Sequence, residues 1–379
     1  MFTSGTTGRP KAVSVPHRAP ARLVTGASPL DVGPQDTWLA TTSMAFDVSV
    51  FEILGALLNG ARLVPLSRET LLSPDALAAR IQTERATVMV LSAGLFHEVA
   101  AWRPEIFAPL RCLYVTADVV NASAVRDVLR HGAPRRLINA YGPTENGIFC
   151  TMHEITGVSE EQTAVPIGRP AANSTAHVVR ADGASAAVGE EGELWVGGDG
   201  LALGYHGDPE RTAECFVDGP FPAARGARLY RTGDRARRRA DGALDFLGRA
   251  DRQVKLNGYR VELAEVERTL SAQPETREAV ADTRTSPAGR SRLVAWAVPA
   301  PAATGGRAAD GDRAAFARAL RDFAADRLPA FMVPAAVRVV DELPRNANGK
   351  VDRARPPSPP PPAARADVPA DEAPATETE

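Results

Sequence analysis

Short apolar runs alternate with helical patterns between residues 69 and 140, and this alternation most limits what the chain can fold into. Strand-like runs stand at Thr87–Leu91, Leu113–Thr116 and Leu137–Ala140, and helical patterns separate them at Leu95–Ala101 and Ala122–His131. Repeated strand–helix units build a largely parallel sheet with helices on its faces. Because ligands of such sheets bind beyond the carboxyl ends of the strands, we expect the functional residues in the loops that follow them.

The second half of the chain carries two further patterns. Residues 166–247 are rich in strand-forming residues and tight Asp–Gly turns, which predicts an antiparallel subdomain. Residues 254–353 mix two helical patterns, Leu263–Leu270 and a second that begins at a capping Asp312, with three strand-like runs. We therefore predict an α/β fold: a large partial core with a βα-layered sheet and an antiparallel β subdomain, plus a small mobile α+β C-terminal domain.

Composition excludes several classes of function. The 379 residues carry a net charge of −2, which gives no reason to expect nucleic acid or an anionic membrane as partner. Three cysteines, odd in number and far apart, favour a reducing cytoplasm over a disulfide framework. The six histidines lack metal-ligand spacing, so we expect structural or surface roles for them.

The opening stretch Phe2–Val13, FTSGTTGRPKAV, predicts an anion site. Backbone N–H groups and hydroxyls that converge on a flexible turn bind anions, and the anion that we expect here is a polyphosphate. The stretch is not a Walker A loop, because Arg9 and Pro10 separate Gly8 from Lys11. The alternative is a solvated loop. The residues expected to bind are Thr3, Ser4, Gly5, Thr6, Thr7, Gly8 and Lys11.

The sequence NAYGPTE follows the strand-like run that ends at Ala140. Tyr141 can present a flat ring to a purine, and Thr144 can donate a hydrogen bond to a phosphate. Glu145 can hold Mg²⁺, a cation that prefers oxygen ligands and substrate phosphates. The alternative is a simple Gly–Pro turn.

Two carboxylates elsewhere have a structural and a functional interpretation. Asp47 stands at the start of the helical pattern Phe46–Leu58, where an N-cap would contribute about 1 kcal/mol. If it is buried instead, it needs a polar or charged partner. Asp234 closes the sequence YRTGD and could accept hydrogen bonds from a ribose diol, or it could lie in a surface turn.

These motifs, in this order, resemble those of adenylate-forming enzymes, and most closely those of nonribosomal peptide synthetase adenylation domains. The resemblance covers most of residues 1–353 and includes FDVSVFE, GRADRQVKLNGYRVELAEVE at Gly248–Glu267 and LPRNANGKVDR at Leu343–Arg353. Asn257 stands where the usual pattern has Arg, which removes a cation near the face of the second half-reaction. Ala264 stands where the pattern has Gly, a mild change.

The resemblance implies a role for each matching residue. Lys350 would be catalytic, bridging the substrate carboxylate and the α-phosphate, although a lone lysine is ordinarily a surface residue. Asp251 would be the hinge, and Glu145 would ligate Mg²⁺. Besides the opening loop, the nucleotide would contact Asn139, Tyr141, Gly142, Thr144, Asp234 and Arg249.

The resemblance also implies an amino-acid pocket. Asp47 would pair with the α-ammonium group of the substrate. The pocket would otherwise be mostly apolar, with hydroxyls only from Tyr114 and Thr116, so we expect a neutral, medium-sized amino acid. The predicted lining is Asp47, Val48, Phe51, Val90, Tyr114, Thr116, Ala140, Ile148 and Phe149.

The resemblance divides the chain into three parts. Residues 1–248 would be a partial adenylation core, 252–353 a small lid domain, and 354–379 a Pro/Ala-rich acidic linker. In the family a large subdomain precedes the opening loop and a carrier domain follows the linker, so we expect the chain to be truncated, above all at its N-terminus.

The implied reaction consumes ATP with Mg²⁺ to form an aminoacyl-AMP and then transfers the acyl group to phosphopantetheine on a carrier protein. The expected partners are an amino acid, a peptidyl carrier protein and other synthetase domains of antibiotic biosynthesis. Two alternatives stay open: an acyl- or aryl-CoA ligase of the same superfamily, and an inactive fragment of a synthetase. Asp47 argues against the first, because such acids carry no ammonium group.

Overall fold

The computed structural model describes residues 1–3, 11–25, 32–250, 253–256, 259–285, 291–300 and 310–345. Three parts follow one another along the chain: a layered βα part, an antiparallel β part and a small α+β part. This architecture confirms the predicted fold class. Within the described residues, no helix is long and apolar enough to cross a membrane.

Among its described residues, the first part holds nine strands and six α-helices. They are β1 Phe2–Thr3, β2 Lys11–Ser14, α1 Arg18–Val24, β3 Thr37–Ala40, α2 Val48–Leu57, β4 Arg62–Pro65, α3 Arg68–Leu72, α4 Pro74–Thr83, β5 Val88–Ser92, α5 Ala93–Trp102, β6 Cys112–Thr116, α6 Ala122–His131, β7 Arg136–Tyr141, β8 Thr151–Glu154 and β9 Arg169–Pro170.

Seven of these strands form the main sheet, in the order β4-β3-β5-β6-β7-β8-β9. Strands β3 to β7 are parallel, and β8 and β9 extend the sheet in antiparallel fashion. Both faces are buried, because alternate residues of β6 belong to different apolar clusters. Leu113 and Val115 face the cluster beneath α4, α5 and α6, whereas Cys112 and Tyr114 face the cluster beneath α1 and α2.

The helices of this part begin where the sequence offers side-chain caps. The Ser73 hydroxyl accepts a hydrogen bond from the backbone of α4, and the Ser92 hydroxyl does the same for α5. At the amino ends of the strands, the buried Asp36 carboxylate pairs with Arg111 at 2.8 Å. This ion pair joins the start of β3 to the start of β6.

The second part is antiparallel, as the Asp–Gly turns predicted. Its elements are β10 Ser174–Val179, β11 Glu191–Gly198, β12 Gly204–Tyr205, α7 Pro209–Cys215, β13 Phe216–Asp218, β14 Arg228–Arg238 and β15 Leu244–Arg249. Strands β10, β11, β14 and β13 are neighbours in one sheet, and β15 also pairs with β14. Strand β12 instead pairs with β2, which pairs with β1.

The third part is small and contains β16 Gln253–Leu256, β17 Tyr259–Glu262, α8 Leu263–Ser271, β18 Thr276–Thr285, β19 Ser291–Pro299, α9 Asp310–Ala325 and β20 Ala336–Val339. Strands β16 and β17 pair with each other, and β18, β19 and β20 form a second sheet. Both helices pack their apolar sides on this sheet around Val266 and Leu320. The prediction that Asp312 caps the second helix is wrong, because α9 begins two residues earlier and Asp312 lies in its first turn.

Candidate functional site

A cavity lies beyond the carboxyl ends of β6 and β7, where the parallel sheet predicts a ligand. Two aromatic rings and one side-chain amide line it, from Tyr141, Phe246 and Asn139. The rest of its wall includes Ala117, Gly142 and Ile167. The ring centroids of Tyr141 and Phe246 are 6.2 Å apart. The Asn139 amide is held by the Pro166 carbonyl at 2.8 Å, which fixes its orientation at the cavity wall.

Next to this cavity, Asp234 is buried and holds two partners. Its carboxylate accepts hydrogen bonds from the Tyr141 hydroxyl and from the Arg249 guanidinium. Burial, together with the neighbouring Asp234 charge, raises the pKa of Tyr141 well above its usual value. Asp234 lies inside β14, so the alternative of a surface turn is wrong. Each carboxylate oxygen keeps a second lone pair for a further donor.

Two carboxylates, Asp47 at the start of α2 and Glu145 in the turn after β7, lie close together. The Thr144 hydroxyl donates to Asp47 Oδ2 at 2.5 Å, and the Tyr205 hydroxyl donates to Glu145 Oε1 at 2.7 Å. Asp47 occupies the N-cap position of α2, but its side chain makes no capping hydrogen bond. Burial, and to a lesser extent the Glu145 charge, raises the pKa of Asp47, because both disfavour its ionised form.

Apart from Asp47 itself, the predicted lining residues of the amino-acid pocket belong, with one exception, to one apolar cluster that begins at its neighbour Val48. Phe51 is its centre, with the Tyr114 ring centroid at 5.2 Å and the Phe149 ring centroid at 5.0 Å, both edge to face. The other members are Val48, Val90, Ala140 and Ile148. Thr116, the exception, is buried at the end of β6 and is not part of the cluster.

Tyr114 presents its ring rather than its hydroxyl to this cluster. The hydroxyl lies beside the Cys112 thiol, two residues earlier on the same face of β6. Burial and this thiol raise the pKa of Tyr114 well above its usual value.

The turn from Gly142 to Cys150 carries residues of both predicted sites and is tightly packed. A Cβ atom at Gly142 would lie 2.3 Å from the Ile148 carbonyl oxygen, so only glycine fits there. Gly147 and Ile148 have positive φ angles of 62° and 83°. For a β-branched residue this is a strained conformation, which persists only where the surroundings enforce it.

Three polar residues near the site were not predicted. Glu52 is buried in α2 and accepts hydrogen bonds from the backbone and hydroxyl groups of Thr41 and Thr42, which begin the loop leading to Asp47. Burial raises the pKa of Glu52 to about 7. Arg22 in α1 and Tyr205 in β12 contact the Gly142–Cys150 turn. A charge within an apolar helical pattern marks Glu52 and Arg22 in the sequence.

The ends of the predicted phosphate loop meet at one place. Strands β1 and β2 pair with Thr3 opposite Lys11. The Thr3 hydroxyl is buried and forms no hydrogen bond with any residue that the structure describes. The Lys11 ammonium group lies 3.8 Å from the Glu262 carboxylate of β17, and both side chains are buried.

A second contact joins the small part of the chain to the first. The Phe46 ring, next to Asp47, packs edge to face on Tyr259 with centroids 4.6 Å apart, and Tyr259 stacks on Phe331 at 4.1 Å. The hairpin β16–β17 therefore lies beside the predicted amino-acid pocket. The remaining predicted residues lie outside the described ones: Ser4, Gly5, Thr6, Thr7, Gly8, Asp251, Lys350 and the linker 354–379.

Among the described residues, no group of three or more His, Cys, Asp or Glu side chains could hold a metal ion. The polar groups at hand are the single buried carboxylate of Glu145 and neighbouring hydroxyls. Such a donor set fits Mg²⁺ only where substrate phosphates and water supply most of its ligands. The role of Glu145 as a ligand of Mg²⁺ stays a prediction.

Comparison with known proteins agrees with this geometry. Residues 1–206 match the AMP-binding enzymes, and residues 265–350 match the C-terminal domain of AMP-binding enzymes. A linear gramicidin synthase and tyrocidine synthase 3, both of Brevibacillus parabrevis, are 42% and 41% identical to this chain over 359 residues. Those residues are 95% of this chain but only 4% and 5% of the relatives' own lengths.

Solved structures give the same result. A holo nonribosomal peptide synthetase protein with adenylation and PCP domains, bound to a vinylsulfonamide inhibitor, is 36% identical with a TM-score of 0.81, over 93% of this chain and 58% of that one. The Vibrio cholerae adenylation domain AlmE, in complex with glycyl-adenosine-5'-phosphate, is 26% identical with a TM-score of 0.77, over 93% and 64%. The chain therefore belongs to the AMP-binding enzyme family, within which it is homologous to the adenylation domains of nonribosomal peptide synthetases.

Proposed function

We propose that this chain uses ATP to activate a neutral amino acid as its aminoacyl-AMP, for transfer to the phosphopantetheine thiol of a carrier protein in nonribosomal peptide synthesis. The observation that carries the proposal is the position of Asp47. Its carboxylate lies at the top of an apolar cluster, with the Thr144 hydroxyl as partner and a raised pKa. An α-ammonium group would neutralise this charge while the substrate side chain enters the apolar lining.

The nucleotide would occupy the neighbouring cavity. The adenine ring would lie against Tyr141, beside the oriented amide of Asn139. The ribose diol would donate to the remaining lone pairs of Asp234, which Arg249 holds in place. The buried hydroxyl of Thr3, which no described residue pairs, and the Lys11 ammonium group support a triphosphate at the opening loop.

Mg²⁺ would bind between the phosphates and Glu145, where it would offset the charge of the phosphate oxygens. Tyr205 fixes the orientation of that carboxylate through its 2.7 Å hydrogen bond. Carboxylate attack on the α-phosphate needs no protein nucleophile, only positioning and neutralisation of the developing charge. We assign that neutralisation to Lys350 and to the residues of the opening loop.

We further propose three functional units: residues 1–248 as the nucleotide and amino-acid binding core, 252–353 as the lid, and 354–379 as a linker. The lid would rotate about Asp251 between two states. In one state Lys350 would face the site, and in the other the β16–β17 hairpin would take its place. The described position, with Tyr259 on Phe46 and Glu262 near Lys11, supports a state in which the hairpin faces the site. A carrier-bound thiol would be acylated in that state.

Amino-acid-dependent exchange of labelled pyrophosphate into ATP tests this function. The 379-residue chain, first shown to be folded and monodisperse, is assayed with each proteinogenic amino acid and with aryl and fatty acids. We expect exchange with at least one neutral amino acid and none with acids that lack an amino group. Exchange with aryl or fatty acids alone, or with no acid at all, would overturn the proposal.

A matched pair of variants adds a control. Lys350→Ala is expected to abolish exchange, whereas Arg345→Ala is expected to leave it unchanged. Arg345 precedes Lys350 by five residues, but its guanidinium is half exposed in an ion pair with Glu278. Equal losses in both variants would show that the effect is not specific to Lys350.

A further inference from the structure

Arg22 is a buried cation that the proposed reaction does not use. It lies in α1, and only 7% of its surface is exposed. Within the described residues it forms no ion pair, and burial lowers the pKa of its guanidinium to about 10. A charge buried without an ion-pair partner is unfavourable unless hydrogen bonds replace its lost hydration.

Those hydrogen bonds converge on one segment of the chain. Arg22 Nη2 donates to the Asn146 carbonyl at 2.9 Å, to the Asn146 side-chain oxygen at 3.3 Å and to the Phe149 carbonyl at 2.6 Å. Nη1 donates to the Ala172 carbonyl at 3.3 Å. One nitrogen atom therefore holds both ends of the segment 146–149.

The segment between these two carbonyls is the strained one. Gly147 and Ile148 both have positive φ angles, and Ile148 is β-branched. Helix α1 also touches the segment directly, because a Cβ atom on Gly147 would lie 2.6 Å from the Ala19 Cβ. On the other side, a Cβ atom on Gly200 would lie 2.2 Å from Arg22 Nη2, so only a glycine at position 200 leaves room for the guanidinium.

The segment also carries part of the apolar lining. Ile148 and Phe149 both belong to the cluster beneath Asp47, and Phe149 packs edge to face on Phe51. If the carbonyls at 146 and 149 were released, Ile148 would relax to a negative φ angle and its side chain would change direction. The shape of the lining would then change without any change in the residues that form it.

We propose that Arg22 is a positioning residue for amino-acid selectivity, because it holds Ile148 and Phe149 in the strained turn that shapes the substrate pocket. This inference rests on the proposed function. It assigns to α1 a role in selectivity, although α1 contributes no side chain to the predicted lining. Arg22 acts on the lining only through the backbone carbonyls of the turn.

Three variants separate this role from a contribution to stability alone. Arg22→Met keeps much of the volume but removes every donor, and Arg22→Lys keeps the charge but not the planar fork. Arg18→Met is the control, because Arg18 lies one turn earlier on α1 and is exposed. For each variant, pyrophosphate exchange gives KM for ATP, KM for the best amino acid, and the relative kcat/KM of a homologue one methylene longer.

For Arg22→Met we expect KM for the amino acid to rise about tenfold and discrimination against the longer homologue to fall at least about fivefold. KM for ATP should stay within about twofold, Arg22→Lys should be intermediate, and Arg18→Met should resemble the wild type. If kcat fell by the same factor for every amino acid while discrimination and KM stayed unchanged, the variant would merely contain a smaller active fraction. That result would overturn the proposal.

Amide hydrogen exchange provides a readout that needs no activity. The Gly147 and Cys150 amides donate within the turn, to Thr144 at 3.1 Å and Tyr141 at 2.8 Å. In Arg22→Met, or in Arg22→Lys if the former does not fold, these two amides should exchange at least about tenfold faster, with β6 unchanged. If the wild type catalyses no exchange of pyrophosphate, the proposed function fails, and unchanged amide exchange separately overturns the role of Arg22.

Discussion

Replacement of Asp47 by alanine should discriminate most sharply between an amino-acid-activating enzyme and one that activates other acids. In the proposed complex the carboxylate and the α-ammonium group form an ion pair above the apolar cluster. Removing one partner of a buried ion pair costs about 3–5 kcal/mol, and each ~1.4 kcal/mol is a factor of ten. Because Asp47 is only partly buried, we expect the lower end, a fall in kcat/KM for the amino acid of roughly a hundredfold.

The assay is pyrophosphate exchange with the best amino acid and with its desamino analogue. The wild type should not activate the analogue detectably, whereas Asp47→Ala should activate it, because an uncompensated carboxylate no longer faces the substrate. Thr144→Val, which removes only the hydroxyl that donates to Asp47, should lower kcat/KM for the amino acid about tenfold or less. A change of less than about threefold in Asp47→Ala would refute the pairing and favour an aryl- or acyl-CoA ligase.

Three further predictions follow from the described contacts. The folded-state pKa of Glu52, about 7, lies above its ordinary 4.5, so the folded chain retains a proton that the unfolded chain loses. The free energy of unfolding should therefore fall by roughly 3 kcal/mol as pH rises from 4 to 8, and urea titrations should find this slope absent in Glu52→Gln. Asp234→Asn should raise KM for ATP about tenfold and abolish any preference for ATP over 2′-deoxy-ATP, because the ribose diol loses its charged acceptor; an intact preference would contradict the ribose assignment. Gly142→Ala should destabilise the chain by about 1–3 kcal/mol in thermal unfolding, since its Cβ would meet the Ile148 carbonyl, whereas Gly157→Ala, with open space around it, should be neutral.

The sequence was most informative where local patterns determine local structure. The strand–helix alternation predicted β5 to β7 and α5 and α6 to within two residues at each end, because buried parallel strands and capped helices have distinct compositions. The Asp–Gly turns likewise predicted the antiparallel part. The prediction for Asp312 was wrong because Asp310, two residues earlier, can begin the helix equally well, and spacing alone does not choose between them.

The candidate site was predictable only in part, since its contacts join distant residues. Tyr141 and Asp234 are 93 positions apart, and Arg22 lies 124 positions from Asn146. Glu52 and Arg22 stand out as charges within apolar helices, but a helical pattern cannot name the carbonyl or hydroxyl groups that will satisfy them. The direction of the Tyr114 hydroxyl toward Cys112 is also a matter of packing, which spacing along a strand does not determine.

Alternate residues of strand β7 face the two proposed ligand sites, so neighbouring positions on the strand serve different sites. Ile138 and Ala140 belong to the apolar cluster, whereas Asn139 and Tyr141 face the nucleotide cavity and the second part of the chain. Redesign of amino-acid preference on this strand is thus confined to every other position, and a one-residue deletion would exchange the two faces. Natural diversification of preference in such a scaffold should therefore accumulate in α2, β6 and positions 148 and 149 of the turn, whose side chains face the apolar cluster and not the nucleotide.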